Sequence, residues 1–227
     1  MRSSAAPKMT EVGNTLNAMT RVVLASTSPA RLTLLRAGGI YPDTLAPQVD
    51  EDEVTAVATA AGLIKDTEDM VLLLARAKAE AVLGRPETAG AVIIGCDSSL
   101  EFAGESLGKP HHSEVAIARW KKLRGNSGRL FSGHWVIDNR DPQNPRAVGR
   151  ASHSVVHFAN LSDSEIEAYV ATGEPLKVAG AFTIDGLGGA FLTKIEGDPH
   201  TVIGLSLPTL RELVLELGIE YPSLWNR

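Results

Sequence analysis

The chain has 227 residues and a formal net charge of -5 at neutral pH. Its hydrophobic fraction of 44% and charged fraction of 22% are ordinary for a globular protein, so the composition excludes an intrinsically disordered chain. The acidic balance lacks the basic surplus with which proteins displace counterions from nucleic-acid polymers, which argues against such a partner. A small anionic ligand held by local cations remains open.

Cysteine content and hydropathy predict a cytoplasmic protein. Cys96 is the single cysteine and cannot form an intrachain disulfide, as expected in a reducing compartment. No apolar run approaches the roughly 20 residues of a membrane span, and residues 1–20 lack the apolar segment of a signal peptide. We therefore predict no membrane partner, and we interpret residues 1–20 as a flexible extension that precedes a single domain over residues 21–227.

The first predicted element is a short buried strand over residues 22–25, followed by a hydroxyl-rich turn and a helix. Ser28 suits the N-cap of this helix and Pro29 suits its first position. The free N–H groups and positive dipole at such a helix start can hold phosphate oxygens, with Ser26 and Arg31 adding side-chain contacts. The alternative is that Ser28 merely caps the helix and that Arg31 is a solvated surface residue.

A second predicted helix over residues 68–83 precedes a second buried strand over residues 91–94. Asp97 follows shortly afterwards, so we expect its carboxylate where the strand ends, a position that suits a general base or a metal ligand. The alternative is an aspartate that accepts hydrogen bonds from the next backbone amides. The neighbouring Cys96 is interpreted as a small buried hydrophobe rather than a nucleophile.

Further charged residues could contribute to ligand binding. The acidic run at residues 48–53 could supply a Mg²⁺ ligand, although such a run is more often a solvated loop or a helix start. Lys78, in an alanine-rich part of the second helix, and Lys109, which precedes a proline, could each reach a phosphate chain. The histidines show no metal-ligand spacing, and the sequence contains neither the phosphate-binding motif GxxxxGK[ST] nor the nucleophile motif GxSxG.

The rest of the chain continues the mixture of strands and helices. Downstream, the pattern predicts helices over residues 113–123, 162–171 and 208–217, antiparallel strands over 131–138 and 147–158, and a strand over 190–195 after a glycine-rich segment. This order predicts an α/β protein with a long mixed sheet and flanking helices. Ligands of such sheets bind at strand ends, where Ser26 and Asp97 could open onto one crevice.

Several segments, taken in order from residue 21 to about residue 218, resemble the Maf family. They are Leu24-Ala25-Ser26-Thr27-Ser28-Pro29-Ala30-Arg31, Val49-Asp50-Glu51, Ala75-Arg76-Ala77-Lys78-Ala79, Ile94-Gly95-Cys96-Asp97-Ser98, Gly108-Lys109-Pro110, Gly173-Glu174-Pro175, Ala179-Gly180-Ala181-Phe182 and Ile195-Glu196-Gly197-Asp198. The combined order of these motifs makes the resemblance specific.

The resemblance implies a nucleoside triphosphate pyrophosphatase, which forms a monophosphate and pyrophosphate. It implies a two-lobed fold around a cleft, similar to that of the inosine triphosphate pyrophosphatases, a divalent cation such as Mg²⁺ or Mn²⁺, and a homodimer. Asp97 matches the proton acceptor of the family, and the matching polar cleft residues are Ser26, Arg31, Glu51, Lys78 and Lys109. We expect Glu51 and Asp97 to hold the metal, while the cations neutralise a triphosphate that carries about four negative charges.

The chain departs from the usual Maf pattern at a few positions. Ala30 replaces the first of two arginines often found after the proline, so Arg31 keeps that role. Asp185 stands where pyrimidine-preferring members usually have glutamine and 7-methyl-GTP-preferring members have glutamate. Asp185 is therefore a candidate for substrate binding, and the preferred base stays open.

Two other functions are compatible with these residues. The family name comes from a septum-inhibition phenotype, so a non-catalytic regulator of septum formation would bind nucleotide without turnover. A sugar-nucleotide or nucleoside transferase would need a second substrate before pyrophosphate appeared. The charged set favours the hydrolase, because a pure binding module would not need Asp97 and Lys109 together.

Overall fold

The structure, a computed structural model, describes residues 19–227. Residues 1–18, which make up most of the predicted flexible extension, lie outside the described residues. Thr20 is buried, and its backbone N–H donates to the carbonyl oxygen of Ser223 at 2.8 Å, so the packed part of the chain includes Thr20. The assignment of residues 21–227 to a single domain stays a prediction.

The centre of the fold is a seven-stranded mixed sheet, as the sequence predicts. Its strands are β1 (Arg21–Ala25), β2 (Asp43–Thr44), β3 (Ala91–Phe102), β4 (Glu105–Leu107), β5 (Ser127–Asn139), β6 (Arg146–Phe158) and β7 (Leu192–Glu196). The order is β2-β1-β3-β5-β6-β7, with β4 paired to the end of β3. The pairs of β1 with β2 and β3 are parallel and the other pairs are antiparallel, which confirms the predicted pairing of the two long strands β5 and β6.

Helices flank this sheet, and short 3-10 segments connect several elements. The helices are α1 (Pro29–Ala37), α2 (Glu51–Ala60), α3 (Thr67–Val82), α4 (Ser113–Leu123), α5 (Asp163–Ala171), α6 (Pro199–Ile203) and α7 (Leu207–Glu216). Ser28 caps α1 and a Ser162–Glu165 capping box starts α5, as predicted. The acidic run is the start of α2, which Asp50 caps by accepting from the Glu53 backbone N–H. Within residues 19–227 we find no helix of the length and apolarity needed to cross a membrane.

Two large hydrophobic clusters lie on either side of the middle of β3. The first cluster includes Leu24, Ile94 and Leu210, so it joins β1 and the first half of β3 to α7. The second cluster includes Leu100 and Trp120, so it joins the second half of β3 to α4. The clusters form the two lobes of an α/β fold, and the polar middle of β3 lies between them.

Asp97 lies in the interior of β3, and the prediction that it follows the end of a strand is wrong. The parallel pairing of β1 with β3 stops at Gly95, but β5 pairs with β3 from Ala91 to Glu101 and keeps the chain extended. The polar residues after Gly95 suggested that the strand had ended. A strand in an antiparallel pair can continue through polar residues, because one of its two faces need not be apolar. Ser26 still lies near Asp97, because Arg31 Nη1 donates both to Ser26 Oγ and to the carbonyl oxygen of Cys96.

Helix α3 lies unusually close to the sheet because two glycines leave room for its backbone. A Cβ atom on Gly95 of β3 would clash with the carbonyl oxygen of Ala75, and one on Gly133 of β5 would clash with that of Val71. The buried face of α3 repeats at helical spacing, and it consists of Thr67, Val71, Leu74, Ala75, Lys78, Ala79 and Val82. A lysine therefore occupies one position of an otherwise mostly apolar stripe that faces the sheet.

Candidate functional site

Lys78 joins two carboxylates at the centre of the candidate site. Its side chain is 8% exposed, and its Nζ lies 2.6 Å from Asp97 Oδ1 and 2.8 Å from Glu51 Oε1. The three residues come from α3, β3 and the first position of α2. The close approach of α3 to Gly95 and Gly133 brings Lys78 to Asp97, and Asp50 fixes the start of the helix that carries Glu51.

The two carboxylates outnumber the one ammonium that they share. Asp97 Oδ2 makes no hydrogen bond within residues 19–227, so one oxygen of this carboxylate can accept a proton or bind a cation. Partial burial opposes the ionisation of Glu51, but the hydrogen bond from Lys78 and the positive charges of Lys78, Lys109 and Arg31 lower its pKa. The group of Asp97, Glu51 and Lys78 therefore has one negative charge in excess, and the cations Arg31 and Lys109 lie near it.

Arg31 is buried, so the alternative that it is a solvated surface residue is wrong. Its guanidinium donates from Nε to the Gly204 carbonyl at 2.8 Å and from Nη1 to the Cys96 carbonyl at 2.9 Å. Further donations reach Ser98 Oγ at 2.9 Å and Ser26 Oγ at 3.4 Å. All four acceptors are neutral and no carboxylate lies within 4.0 Å of Arg31 in the described chain, so its charge favours an anion nearby.

A chain of hydroxyl groups leads away from Arg31 into the protein. Ser98 Oγ lies 2.8 Å from Ser132 Oγ, and Ser132 Oγ donates to the Thr201 carbonyl at 2.8 Å. Each hydroxyl has one proton, so Ser132 accepts from Ser98, and Ser98 accepts from Arg31. Sequence reasoning missed Ser132 and the Gly204 carbonyl, because neither has a local signal and both are distant from Arg31 in the chain.

Ser26 lies between β1 and α1 and has an unused donor. Its Oγ accepts from the Ser28 backbone N–H at 3.1 Å and from Arg31 Nη1 at 3.4 Å. Both acceptor positions of the hydroxyl are thus occupied, while its proton is used by no hydrogen bond within the described residues. Ser26 can donate that proton to an anionic oxygen at the start of α1, where the dipole also favours negative charge.

Lys109 and Asp185 lie farther from the shared ammonium. Lys109 is exposed in the loop after β4, where its positive charge contributes to the lowered pKa of Glu51 without forming an ion pair. Asp185 is exposed and accepts a hydrogen bond from Thr183 Oγ1. No hydrogen bond or ion pair in residues 19–227 connects Asp185 to Asp97 or Lys78, so the structure leaves Asp185 outside this cluster.

Glu174 orders the turn that follows Asp185, a contact that the sequence did not reveal. Its carboxylate accepts from the backbone N–H groups of Leu187 and Gly188, both at 2.9 Å, and from the hydroxyl of Tyr169 at 2.9 Å. Desolvation opposes ionisation of Glu174, but these three donors lower its pKa. Because Leu187–Phe191 is a 3-10 segment without a side-chain cap of its own, Glu174 supplies the missing cap from a distant position.

Other groups that could be reactive have structural environments. Cys96 is fully buried, and this burial raises the pKa of its thiol to about 11. His134 accepts from the Ser206 backbone N–H through Nε2 at 2.7 Å, so its proton lies on Nδ1, which faces the Arg150 carbonyl at 3.2 Å. Burial lowers the pKa of His134 to about 4, and the ring is neutral at physiological pH.

The chemistry of the Asp97–Glu51 pair fits a divalent cation such as Mg²⁺. Both carboxylates converge on one positive group, which shows that their oxygens can share a cation. In residues 19–227 there is no group of three or more His, Cys, Asp or Glu side chains that could hold a metal by itself. Two carboxylates are nevertheless a usual protein contribution for Mg²⁺, which takes its remaining ligands from substrate phosphates and water.

Comparison with known proteins matches most of the described region. The family model for the Maf-like protein matches residues 21–217. A protein of Leifsonia xyli subsp. xyli named nucleoside triphosphate pyrophosphatase is 53% identical over 209 residues, which cover 91% of this chain and 97% of that protein. A protein of Salinispora tropica with the same name is 51% identical over 210 residues, with 91% and 88% coverage.

A solved structure gives a weaker match. It is that of a nucleoside-triphosphatase/dITP/XTP pyrophosphatase from Mycobacterium abscessus, which covers 88% of this chain and 95% of its own at 14% identity. Its TM-score of 0.36 is too low to support any functional inference. The family match spans nearly every residue that builds the two lobes and the site between them, and this chain belongs to the Maf family.

Proposed function

We propose that this protein is a nucleoside triphosphate pyrophosphatase, which hydrolyses a nucleoside triphosphate to the monophosphate and pyrophosphate. The observation that carries the proposal is the anionic Asp97–Glu51 pair surrounded by Lys78, Arg31 and Lys109. A hydrolase of triphosphates needs such mixed signs, because cations must neutralise the phosphates while a carboxylate activates water. The names of the relatives with about half of their residues identical support the same activity.

Asp97 is the general base in this proposal. Its Oδ2 is free to accept the proton of the attacking water, because Lys78 donates only to Oδ1. The oxygen of that water then attacks the α-phosphorus. The bond from the α-phosphorus to the oxygen that bridges it to the β-phosphate breaks, and pyrophosphate is the leaving group. The side chain of Asp97 is 11% exposed, which limits its access to bulk water.

The cations and the start of α1 bind the triphosphate. Ser26 donates its free proton to a phosphate oxygen, and Lys109 is exposed and able to reach the phosphate chain. Arg31 has one N–H left after its four protein contacts, so it contributes mainly fixed positive charge and the placement of Ser26 and Ser98. Glu51 and Asp97 would hold Mg²⁺ or Mn²⁺, which supplies charge neutralisation to the substrate and to the leaving pyrophosphate.

The remaining features of the proposal depend on the resemblance to the family. We place base recognition near Asp185 and propose modified or non-standard nucleotides as the substrates. The role in the cell would be the removal of such nucleotides, with arrest of cell division as a consequence. A cytoplasmic location is consistent with the single buried Cys96. We also propose a single domain over residues 21–227 and a homodimer, which light scattering of the purified protein would test.

One assay tests the function and separates it from the two alternatives. The protein is incubated with Mg²⁺ and a panel of ordinary and modified triphosphates, and both pyrophosphate and monophosphate are measured. We expect the two products in equal amounts without a second substrate. Nucleotide binding without turnover would support the non-catalytic regulator of septum formation instead, and pyrophosphate release that requires an added acceptor would support a transferase.

A further inference from the structure

The ammonium of Lys78 occupies the position that the proposed function assigns to a divalent cation. In the structure its ammonium is bound to both Asp97 and Glu51, at 2.6 Å and 2.8 Å. The proposed function, on which this inference rests, also requires those carboxylates to hold a divalent cation. An ammonium in direct contact with both carboxylates occupies the place of that cation and would repel it.

The charges of the surrounding residues strengthen this conflict. The positive charges of Arg31 and Lys109 already act on Glu51. Among the described residues, no third His, Cys, Asp or Glu side chain joins Asp97 and Glu51 to form a metal-binding group. Adding a divalent cation while Lys78 keeps both contacts would place the two cations against the same two carboxylates. Removing the ammonium restores two negative charges for the incoming cation.

The construction of α3 allows the side chain of Lys78 to move while its backbone does not. The absence of a Cβ atom at Gly95 and Gly133 lets the α3 backbone pack directly against the sheet, which places the backbone of Lys78 beside β3. A lysine has a flexible four-carbon stem and a compact charge, unlike the planar fork of an arginine. The ammonium can therefore change partners by rotation of its stem alone.

We propose that Lys78 and the divalent cation are alternative occupants of the Asp97–Glu51 pair. In the free protein the ammonium neutralises part of the charge of the two carboxylates. When the cation binds, Lys78 leaves both carboxylates and becomes available to a phosphate oxygen. Lys78 is thus a positioning residue for Asp97 in one state and a phosphate ligand in the other.

Metal affinity in the absence of nucleotide tests this exchange directly. Free Mn²⁺ is measured by electron paramagnetic resonance during titration of the wild-type protein, Lys78→Met and Lys109→Met. We expect Lys78→Met to bind Mn²⁺ about tenfold more tightly than the wild type, a typical size for the coupling between two linked binding events. Lys109→Met is the matched control, because it removes a nearby ammonium that forms no ion pair with either carboxylate, and we expect a smaller change.

Two results would overturn the proposal. One is Mn²⁺ binding to Lys78→Met that is no tighter than to the wild type, including no measurable binding to either protein. The other is an equal tightening in Lys109→Met, which would show that total charge rather than displacement of Lys78 decides the affinity.

A second measurement uses the wild-type protein and does not depend on the folding of a variant. Lysines are acetylated with acetic anhydride with and without Mn²⁺, and the modification of each is followed by mass spectrometry. We expect Mn²⁺ to raise the rate at Lys78 several-fold relative to Lys109, because displacement frees a side chain that is only 8% exposed. An unchanged ratio contradicts the exchange, whereas a wild type that releases no pyrophosphate contradicts the proposed function itself.

Discussion

Two clusters of carboxylates and cations lie on the same sheet and have opposite balances of charge. At the candidate site, Asp97 and Glu51 share the one ammonium of Lys78. At the hairpin between β5 and β6, the single carboxylate of Asp138 accepts from Arg140 at 2.8 Å and 2.9 Å and from Arg146 at 2.9 Å. Asp97 pairs with Gly133 and Asp138 lies five residues farther along β5, so about 17 Å of strand separates the clusters.

The difference shows why a paired, buried carboxylate is not by itself a sign of catalysis. Arg140 and Arg146 occupy both oxygens of Asp138 and hold its pKa at about 2, so this carboxylate has no capacity for a proton or a metal near neutral pH. Asp97 keeps one oxygen free, and its partner is a single flexible lysine. Excess negative charge and a free carboxylate oxygen, rather than burial, distinguish the candidate cluster of Asp97, Glu51 and Lys78 from that of Asp138, Arg140 and Arg146.

The largest expected effect is on turnover at Asp97. Asp97→Asn keeps the size of the side chain but removes the proton acceptor, so we expect kcat to fall by ~10²-fold or more. Pyrophosphate release measures the change, and circular dichroism checks that the variant is folded. The matched variant Asp138→Asn should retain kcat within about twofold, since Asp138 is structural. Nearly normal turnover in folded Asp97→Asn would remove Asp97 from the role of base.

The next effect concerns the contact between α3 and the sheet. The methyl group added in Gly95→Ala would meet the Ala75 carbonyl and lie 2.9 Å from Ala79 Cβ, so α3 must shift. We expect a loss of about 1 to 3 kcal/mol in the free energy of unfolding, the usual cost of overpacking, together with reduced kcat because the shift of α3 displaces Lys78 from the site. Urea denaturation and steady-state kinetics measure the two effects.

A control for this substitution is available at Gly38, the C-cap residue that follows α1. In Gly38→Ala the new Cβ would lie 3.3 Å from a movable methyl group of Leu207 and 3.3 Å from the Leu35 carbonyl, so both stability and turnover should change little. If Gly95→Ala lowered stability but left kcat unchanged, the close approach of α3 would matter for folding and not for the position of Lys78 in the site.

The structural cluster should affect stability in a manner that depends on pH. Asp138→Asn loses hydrogen bonds to two partly exposed arginines, so we expect about 1 to 2 kcal/mol lower stability at pH 7. The pKa of Asp138 is about 2 in the folded protein, below its ordinary value of 3.8. Its contribution is therefore present above pH 4 and is lost as the pH falls toward 2.

Urea denaturation of both proteins between pH 7 and pH 3 measures this dependence. The difference in unfolding free energy between the wild type and Asp138→Asn should shrink below pH 4. A difference that stays constant across this range would show that the carboxylate charge of Asp138 does not stabilise the fold.

The smallest expected effect is at Cys96, the neighbour of Asp97. Burial raises the pKa of this thiol to about 11, so it should not react with a thiol reagent in the native protein at pH 8. Reaction should become complete in urea. The labelling rate is measured with a chromogenic disulfide. Rapid labelling of the native protein would mean that the structure around β3 opens far more readily than the complete burial of Cys96 suggests.

Sequence and structure agree most closely where the signals are local. The Ser28 cap and the capping box of Ser162 follow from residues within a few positions of one another, and the strands β5 and β6 follow each other directly in the chain. The interior position of Asp97 could not be predicted in the same way, because the pairing with β5 that extends β3 joins Asp97 to Gly133, 36 positions away.

The candidate site also depends on contacts across the chain. Lys78 in the apolar stripe of α3 was a visible signal for a buried cation, but its two partners lie on α2 and β3. The burial of Arg31 depends on the Gly204 carbonyl, which is 173 residues away, and no local pattern indicates it. The family motifs identified these residues, whereas their mutual contacts required the folded chain.

The cap that Glu174 provides has a consequence for the entropy of ligand binding. Its carboxylate fixes the N–H groups of Leu187 and Gly188 in the ligand-free protein, so the turn after Asp185 is ordered during folding. A ligand that contacts this turn meets a surface that is already immobile, and the free-energy cost of ordering it does not reduce the affinity. Discrimination between ligands at such a surface depends on complementarity of shape and charge, because the rigid turn cannot rearrange to suit a poorer fit.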